Sequence, residues 1–340
     1  MENSNIISVC GYGSTGSSAV VNYLEEFEEC NVMGGEFRII QDPDGLEDLC
    51  HNLSNSWGWN RSDAFIRRFI KYTNVVGRKI SVFKYGEHLN RAFNFNFFNY
   101  RDEFLNGIID TKWNGHWFYH DYHERNIYQV FFENIKRSLS WHFGMSKEWL
   151  RKVTKKSETY FVRPDIDIYK HARLFLEKLF SEYDLNSKYL IFDQMILAYH
   201  MDRFKLLIPN LKQIVVDRDP RDVYLDAKNY NAYPITDDIN TFISFYESSR
   251  AVKEIANDEY NLNIQFEDLI YNYDETTSKI RAFLNIKNDN QERKQTIFKP
   301  DISIRNTQTW LNESDPKILN DVKNIEKKLN KFCYDFKGNK

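Results

Sequence analysis

Apolar residues along this chain follow two patterns that alternate. Short apolar runs, Ile6 to Cys10, Val32-Met33, Lys188 to Asp193 (KYLIFD) and Lys212 to Asp217 (KQIVVD), read as strands, and Ile264 to Ile270 as a strand and its exit. Between them apolar positions recur at helical spacing. Val20, Val21, Leu24 and Phe27 form one such stripe, with Glu25, Glu26, Glu28 and Glu29 on its outer side. Helices are predicted around His200 to Leu207, Thr241 to Ala256, Tyr273 to Leu284 and Lys317 to Phe332. Alternating strands and helices predict an α/β protein with helices on both faces of a central parallel sheet, a three-layer arrangement. From Asp42 to about Ser187 the pattern turns mostly amphipathic-helical, so a large helical insertion at 42–187 is expected inside a single domain spanning 1–340.

The first strand leads into Gly11-Tyr12-Gly13-Ser14-Thr15-Gly16-Ser17-Ser18 and then the first helix. A loop of glycines and small hydroxyl residues ahead of a helix leaves backbone N–H groups free for an anion, and the helix dipole adds partial positive charge. The spacing fits the P-loop pattern G-x-x-x-x-G-K-[ST], except that Ser17 stands where the lysine belongs. An ordinary ATPase or GTPase is therefore disfavoured. A Gly/Ser turn without a ligand would share the pattern.

The other strand ends supply further candidates. Gly34-Gly35-Glu36-Phe37-Arg38 reads as a charged, flexible turn at a strand's carboxyl end, where open α/β sheets bind ligands. Glu36 and Arg38 are thus site candidates, though a surface ion pair would look the same. After KQIVVD comes Arg218-Asp219-Pro220-Arg221. Asp219 suits an N-cap and Pro220 a first helical turn, while both arginines are expected at the ligand edge. Lys299 to Trp310 lacks helical periodicity and is expected to be a loop carrying Arg305 toward the site.

Within 42–187 the aromatic run Phe93 to Tyr100 and the Trp113 to His123 segment fit either a packed core or an acceptor surface for a sugar. His116, His120 and His123 could share a helical face, but no H-E-x-x-H pattern accompanies them and no metal is expected. A net charge of −3 gives no reason to expect nucleic-acid binding. The cysteines Cys10, Cys30, Cys50 and Cys333 are scattered without metal spacing, which predicts reduced structural thiols. No apolar run reaches membrane-spanning length and the first strand starts close to Met1, so a cytoplasmic protein without an integral membrane segment is expected.

Taken together, GYGSTGSSAVVNYL, KQIVVDRDPRDVYLDAK and NIQFEDLIYNYDETTSKIRAFLNI resemble the nucleotide-dependent sulfotransferases. The resemblance implies a P-loop-type fold and 3′-phosphoadenosine 5′-phosphosulfate (PAPS) as donor. It implies that Gly13, Ser14, Thr15, Gly16, Ser17 and Ser18 hold the 5′-phosphosulfate, that Arg218 holds the 3′-phosphate, and that the Arg305 to Trp310 segment covers the adenosine. Glu36 then matches in location the general base of some carbohydrate sulfotransferases, aided by Arg38 or Lys84, with His88 next in line. Glu267 and Asp268 are implied to be structural. Two positions depart from the pattern: Ser14 replaces a usual Lys or Arg, and Asp226 replaces a serine that binds the 3′-phosphate. A carboxylate beside a phosphate needs a cation, for which Lys228 or Arg221 is expected. The implied reaction is sulfuryl transfer to a carbohydrate hydroxyl, such as a surface-polysaccharide precursor, without a metal. Rival readings are an ATP-using P-loop kinase-like phosphotransferase drawing its cation from Arg38, Arg218 or Arg221, and a nucleotide-binding protein without turnover.

Overall fold

A computed structural model describes residues 5–77, 87–117, 119–120, 125–146, 148–149, 156–184, 186–229, 235–251, 256–287, 291 and 293–336. Five strands, β1 (Asn5–Gly11), β2 (Cys30–Glu36), β5 (Tyr189–Asp193), β6 (Lys212–Asp217) and β7 (Asn261–Gln265), form one sheet in the order β2-β5-β1-β6-β7. Every pairing in it is parallel, with Ile7 opposite both Ile191 and Lys212. All five carboxyl ends therefore share one edge, which brings Gly11, Glu36, Asp193, Asp217 and Gln265 together across more than 200 positions of sequence.

Apolar side chains on both faces explain why the strands read as apolar runs. Ile7, Val9, Ile191, Ile214 and Val216 pack against helices α1 (Ser17–Leu24) and, late in the chain, Tyr273–Leu284. The opposite face meets the insertion. There Phe192 and Phe37 contact at 5.0 Å between ring centroids, and Phe37 meets Phe93 at 6.0 Å. The insertion contributes α2 (Leu46–Asn55), α3 (Trp59–Val76), α4 (Glu87–Ala92), α5 (Phe97–Ile108), α6 (Ile127–His142) and α7 (Ile168–Tyr183). Phe93 and Phe97 are fully buried and Phe98 and Tyr100 pack against their cluster, so the aromatic run from Phe93 serves the core apart from the exposed Phe95.

Four expectations need correction. The mostly helical insertion also holds a strand pair that was not foreseen, β3 (Thr111–Gly115) paired antiparallel with β4 (Ser157–Phe161). Trp113 thus lies in a strand and His116 just beyond it, while His123 lies outside the described residues. The Gly34-Gly35-Glu36 stretch is the end of β2, not a free turn. Its register shifts between Val32 and Glu36, a bulge that Gly35 permits with φ of 84°, and the next residue, Phe37, is buried with its N–H on the Asp193 carbonyl at 2.9 Å. β7 begins three residues before Ile264, since the polar Asn261 and Asn263 hid an edge strand. Lys299 to Trp310 is short helical turns, Pro300–Ser303, Ile304–Asn306 and Thr309–Asn312.

The remaining helices are α8 (Met201–Lys205), α9 (Pro220–Asn229), α10 (Ile239–Ala251), α11 (Asp268–Tyr271), α12 (Tyr273–Leu284), α13 (Pro300–Ser303) and α14 (Pro316–Lys328). All four cysteines are free thiols, and three are buried.

Candidate active site

The loop after β1 is built for close approach. Gly13 and Gly16 take left-handed φ values of 90° and 87°, and Ser14 joins them at 51°. A Cβ on Gly16 would also stand 2.5 Å from the Phe266 ring, so only glycine fits there. Thr15 is buried and Ser17, the residue at the lysine position, begins α1. Ser17 is held from β5: Gln194 Nε2 donates to its Oγ at 3.0 Å, and Asp193 bonds its side chain. Polar neighbours fix the hydroxyl where a lysine would have carried charge.

Two cavities flank this loop and share Gly16 and Ser18. The first, about 430 Å³, is bounded by Asn22, Arg218, Asp226, Phe266 and Lys299. Arg218 leaves the end of β6 and is buried. Its Nη1 donates to the Ser14 carbonyl at 2.9 Å and to Asp226 Oδ2 at 2.5 Å, and its Nη2 to the Asn306 carbonyl at 2.6 Å. Its Nε is buried among the described residues with no partner, a donor that an anion in the cavity could take. The cation beside Asp226 is thus Arg218 itself.

Arg221, expected at the ligand edge, faces the other way. Its guanidinium donates to both Asp219 oxygens at 2.9 and 2.6 Å, reaches Glu326 at 3.1 Å and lies 4.1 Å from the Trp310 ring centroid. Geometry explains the reversal, since Asp219 caps α9 through the Arg221 N–H at 2.8 Å and draws the same residue's side chain inward. Lys228 likewise turns to Tyr224, whose ring centroid lies 5.3 Å away.

A buried carboxylate layer supports this half. Asp217 takes two bonds from Arg250, at 2.8 and 2.6 Å. Glu267 accepts the Asp219 N–H at 3.0 Å, and burial pushes its carboxyl up to about 8. Asp222 accepts the N–H groups of Gln308 and Thr309 at 3.0 and 2.9 Å and the Thr309 hydroxyl at 2.6 Å, pinning the 299–312 segment to α9. Burial raises Asp222 to about 6. Arg305 sits on that segment but is exposed and lines neither cavity, whereas Lys299 lines the first.

The second cavity, about 420 Å³, lies on the β2 and β5 side and is lined by Glu36, Arg38 and Asp193 with Tyr12, Tyr199 and Phe245. Glu36 is about half exposed and lies 3.4 Å from Arg38, which also pairs with Asp42 at 2.8 Å. Asp193 stands directly opposite Glu36 in the strand register. Its Oδ1 is buried without a partner among the described residues, and burial, then the nearby Glu36 charge, raises its carboxyl to about 6. Sequence reading noted Asp193 only as a strand end; its position as the last residue of a buried strand neighbouring β1 was the available signal. Lys84 lies outside the described residues, as does the side chain of His88.

The histidines of the insertion do other work. His120 Nε2 meets Asp63 at 2.8 Å in a fully buried pair, and His116 bonds Arg137. Among the described residues no three His, Cys, Asp or Glu side chains are grouped to hold a metal ion.

No protein-family model matches the chain, and no curated protein matches it in sequence. Among solved structures it is similar to the sulfotransferase domain of the Synechococcus PCC 7002 olefin synthase, with 12% identity, a TM-score of 0.39, and coverage of 98% of this chain and 96% of that one. The sulfotransferase domain of the curacin biosynthetic pathway matches at 10% identity and a TM-score of 0.41, covering 96% and 97%. Retinol dehydratase in complex with androsterone and the inactive cofactor PAP matches at 10% identity and a TM-score of 0.33, covering 98% and 83%. At such identities and scores, function has to be read from the chain's own residues.

Proposed function

We propose that this chain transfers the sulfuryl group of PAPS to a hydroxyl of a carbohydrate. The observation carrying this reading is the single anion loop, Gly13 to Ser18, shared by two cavities: one bounded by Arg218, the other by Glu36. Such a site can hold a donor and an acceptor on opposite sides of the group being passed. The residues also fit the donor. A nucleotide 3′-phosphate in the first cavity would take the orphaned Arg218 Nε, with Lys299 as a second cation and the Phe266 face beside it.

In the reaction, the acceptor oxygen forms a bond to sulfur as the bond from sulfur to the bridging phosphate oxygen breaks, in line. Glu36 takes the acceptor's proton, and the loop amides of Thr15 to Ser18 stabilise the charge left on the phosphate. Arg38, tied to Asp42, lies at the mouth of the same cavity to receive anionic oxygens. Tyr12, Tyr199 and Phe245 give the acceptor side the ring surfaces against which a sugar stacks. A polysaccharide precursor is the acceptor class we favour.

Thermal shift with PAP or PAPS, compared with ATP and Mg²⁺, tests the donor on wild type and Arg218→Ala. Stabilisation by PAP that Arg218→Ala abolishes is expected. Stabilisation by ATP and Mg²⁺ alone would overturn the proposal in favour of a phosphotransferase. Binding of PAPS with no transfer to any of a panel of saccharides would leave a nucleotide-binding protein, a reading favoured by the way Asp226 already occupies Arg218.

A further inference from the structure

The wall of the first cavity is fastened from behind. Glu26 follows helix α1 and is fully buried, and its two carboxylate oxygens accept four N–H donors from a single stretch of chain. Oε1 takes the backbone N–H groups of Ile297 and Phe298, at 3.1 and 3.0 Å. Oε2 takes the Gln291 side-chain amide at 2.7 Å and the Gln295 N–H at 3.0 Å. Ile297, Phe298 and Lys299 line the cavity, as do Ser18, Ala19 and Asn22 of α1. One helix therefore carries part of the cavity, and the carboxylate just past its end holds the facing wall. Phe298 is buried and stacks on Tyr273, with 6.2 Å between ring centroids, so Lys299 reaches the cavity from a fixed base.

The far end of the same segment is fastened alike. Just beyond Asn306, which also lines the cavity, the buried Asp222 of α9 holds the N–H groups of Gln308 and Thr309. Residues 297 to 309 thus form a strap gripped at both ends by a buried carboxylate, one past the helix that follows β1 and one in the helix that follows β6. Detaching either end would strip a buried carboxylate of its hydrogen bonds, which costs more than freeing an exposed group. Resting on the donor reading above, we infer that Glu26 is a positioning residue for the nucleotide. It lines neither cavity, yet with Asp222 it keeps the strap closed over the first one and so governs how long a bound nucleotide stays.

Surface plasmon resonance of PAP over the immobilised full chain tests this. Glu26→Gln should raise the PAP dissociation rate about tenfold while the association rate stays within about threefold, because the anion loop and Arg218 are untouched. Gln291→Leu removes one donor and leaves the carboxylate in place, so it should raise the rate by a smaller factor, and it serves if Glu26→Gln does not fold. Leu105→Ala opens a void in the core on the sheet's other face. It should lower the melting temperature yet leave PAP dissociation unchanged, which separates positioning from loss of stability. Unchanged dissociation in both strap variants, or the same acceleration in Leu105→Ala, would overturn the inference and leave the donor reading intact. A wild type that binds no PAP would overturn the donor reading itself, and this inference with it.

Discussion

The two cavities beside the loop are organised in opposite ways. On the β6 and β7 side three arginines are buried and each is held by a carboxylate: Arg218 by Asp226 and two carbonyls, Arg221 by Asp219, Arg250 by Asp217. On the β2 and β5 side Glu36 and Arg38 are both close to half exposed, and the partly buried Asp193 has one oxygen, Oδ1, buried without a partner among the described residues. Buried charges tied to several partners hold fixed positions because moving one strands another. A site for an invariant co-substrate gains from that rigidity. Exposed side chains can adjust to an acceptor, which is where variety is needed, and a carboxylate with one oxygen left unbonded keeps the capacity to exchange a proton.

The sharpest way to break this contrast is Glu36→Gln, which should reduce turnover by roughly a hundredfold or more while leaving the Kd for PAP unchanged. A fall in PAP affinity instead would mean that the two cavities are not separate in role. Arg218→Ala should raise the Kd for PAP by about a hundredfold, read by calorimetry, because it removes charge-assisted bonds and leaves Asp226 facing the anion. Asp226→Ser sharpens the comparison from the other direction. Relieving the carboxylate should tighten PAP binding by about tenfold, and a weaker complex would show that Asp226 positions Arg218 more than it repels phosphate.

Smaller effects follow from titration. Asp193 ionises at about 6 in the fold, so turnover that depends on its negative charge beside Glu36 should rise with pH through that value, and Asp193→Asn should lose this limb of the profile. Glu267 titrates at about 8 in place of its ordinary 4.5. The unfolded chain gives up that proton first, so stability should fall as pH rises from about 4.5 to 8. Melting curves of Glu267→Gln across this range should lie flatter than those of wild type by a few degrees.

Buried apolar runs made much of the sheet legible in advance. Lys212 to Asp217 and Tyr273 to Leu284 form with the expected limits, because solid apolar runs and helical stripes report burial directly. The β3 and β4 pair escaped notice since TKWNG is exposed along its length and carries no alternation. In the candidate site, the loop and Arg218 could be picked out from motif spacing, and Glu36 from its place at a strand's carboxyl end. Asp193 could not be ranked, because its raised pKa arises from burial and from a neighbour paired across the sheet, neither of which is local in sequence. Arg221 was misplaced for a similar reason: nothing in Arg-Asp-Pro-Arg says which arginine its aspartate will hold.

The sheet order has a consequence for how such a protein can diversify. With β1 at the centre, residues 30–193 build one flank and residues 212–265 the other, and the long insertion interrupts only the first. Segments between β2 and β5 can lengthen, shorten or be exchanged without touching the pairing of β1 with β6 or of β6 with β7. One half of the fold is thereby free to drift while the other stays constant, so a change of clientele need not endanger the currency it is served in.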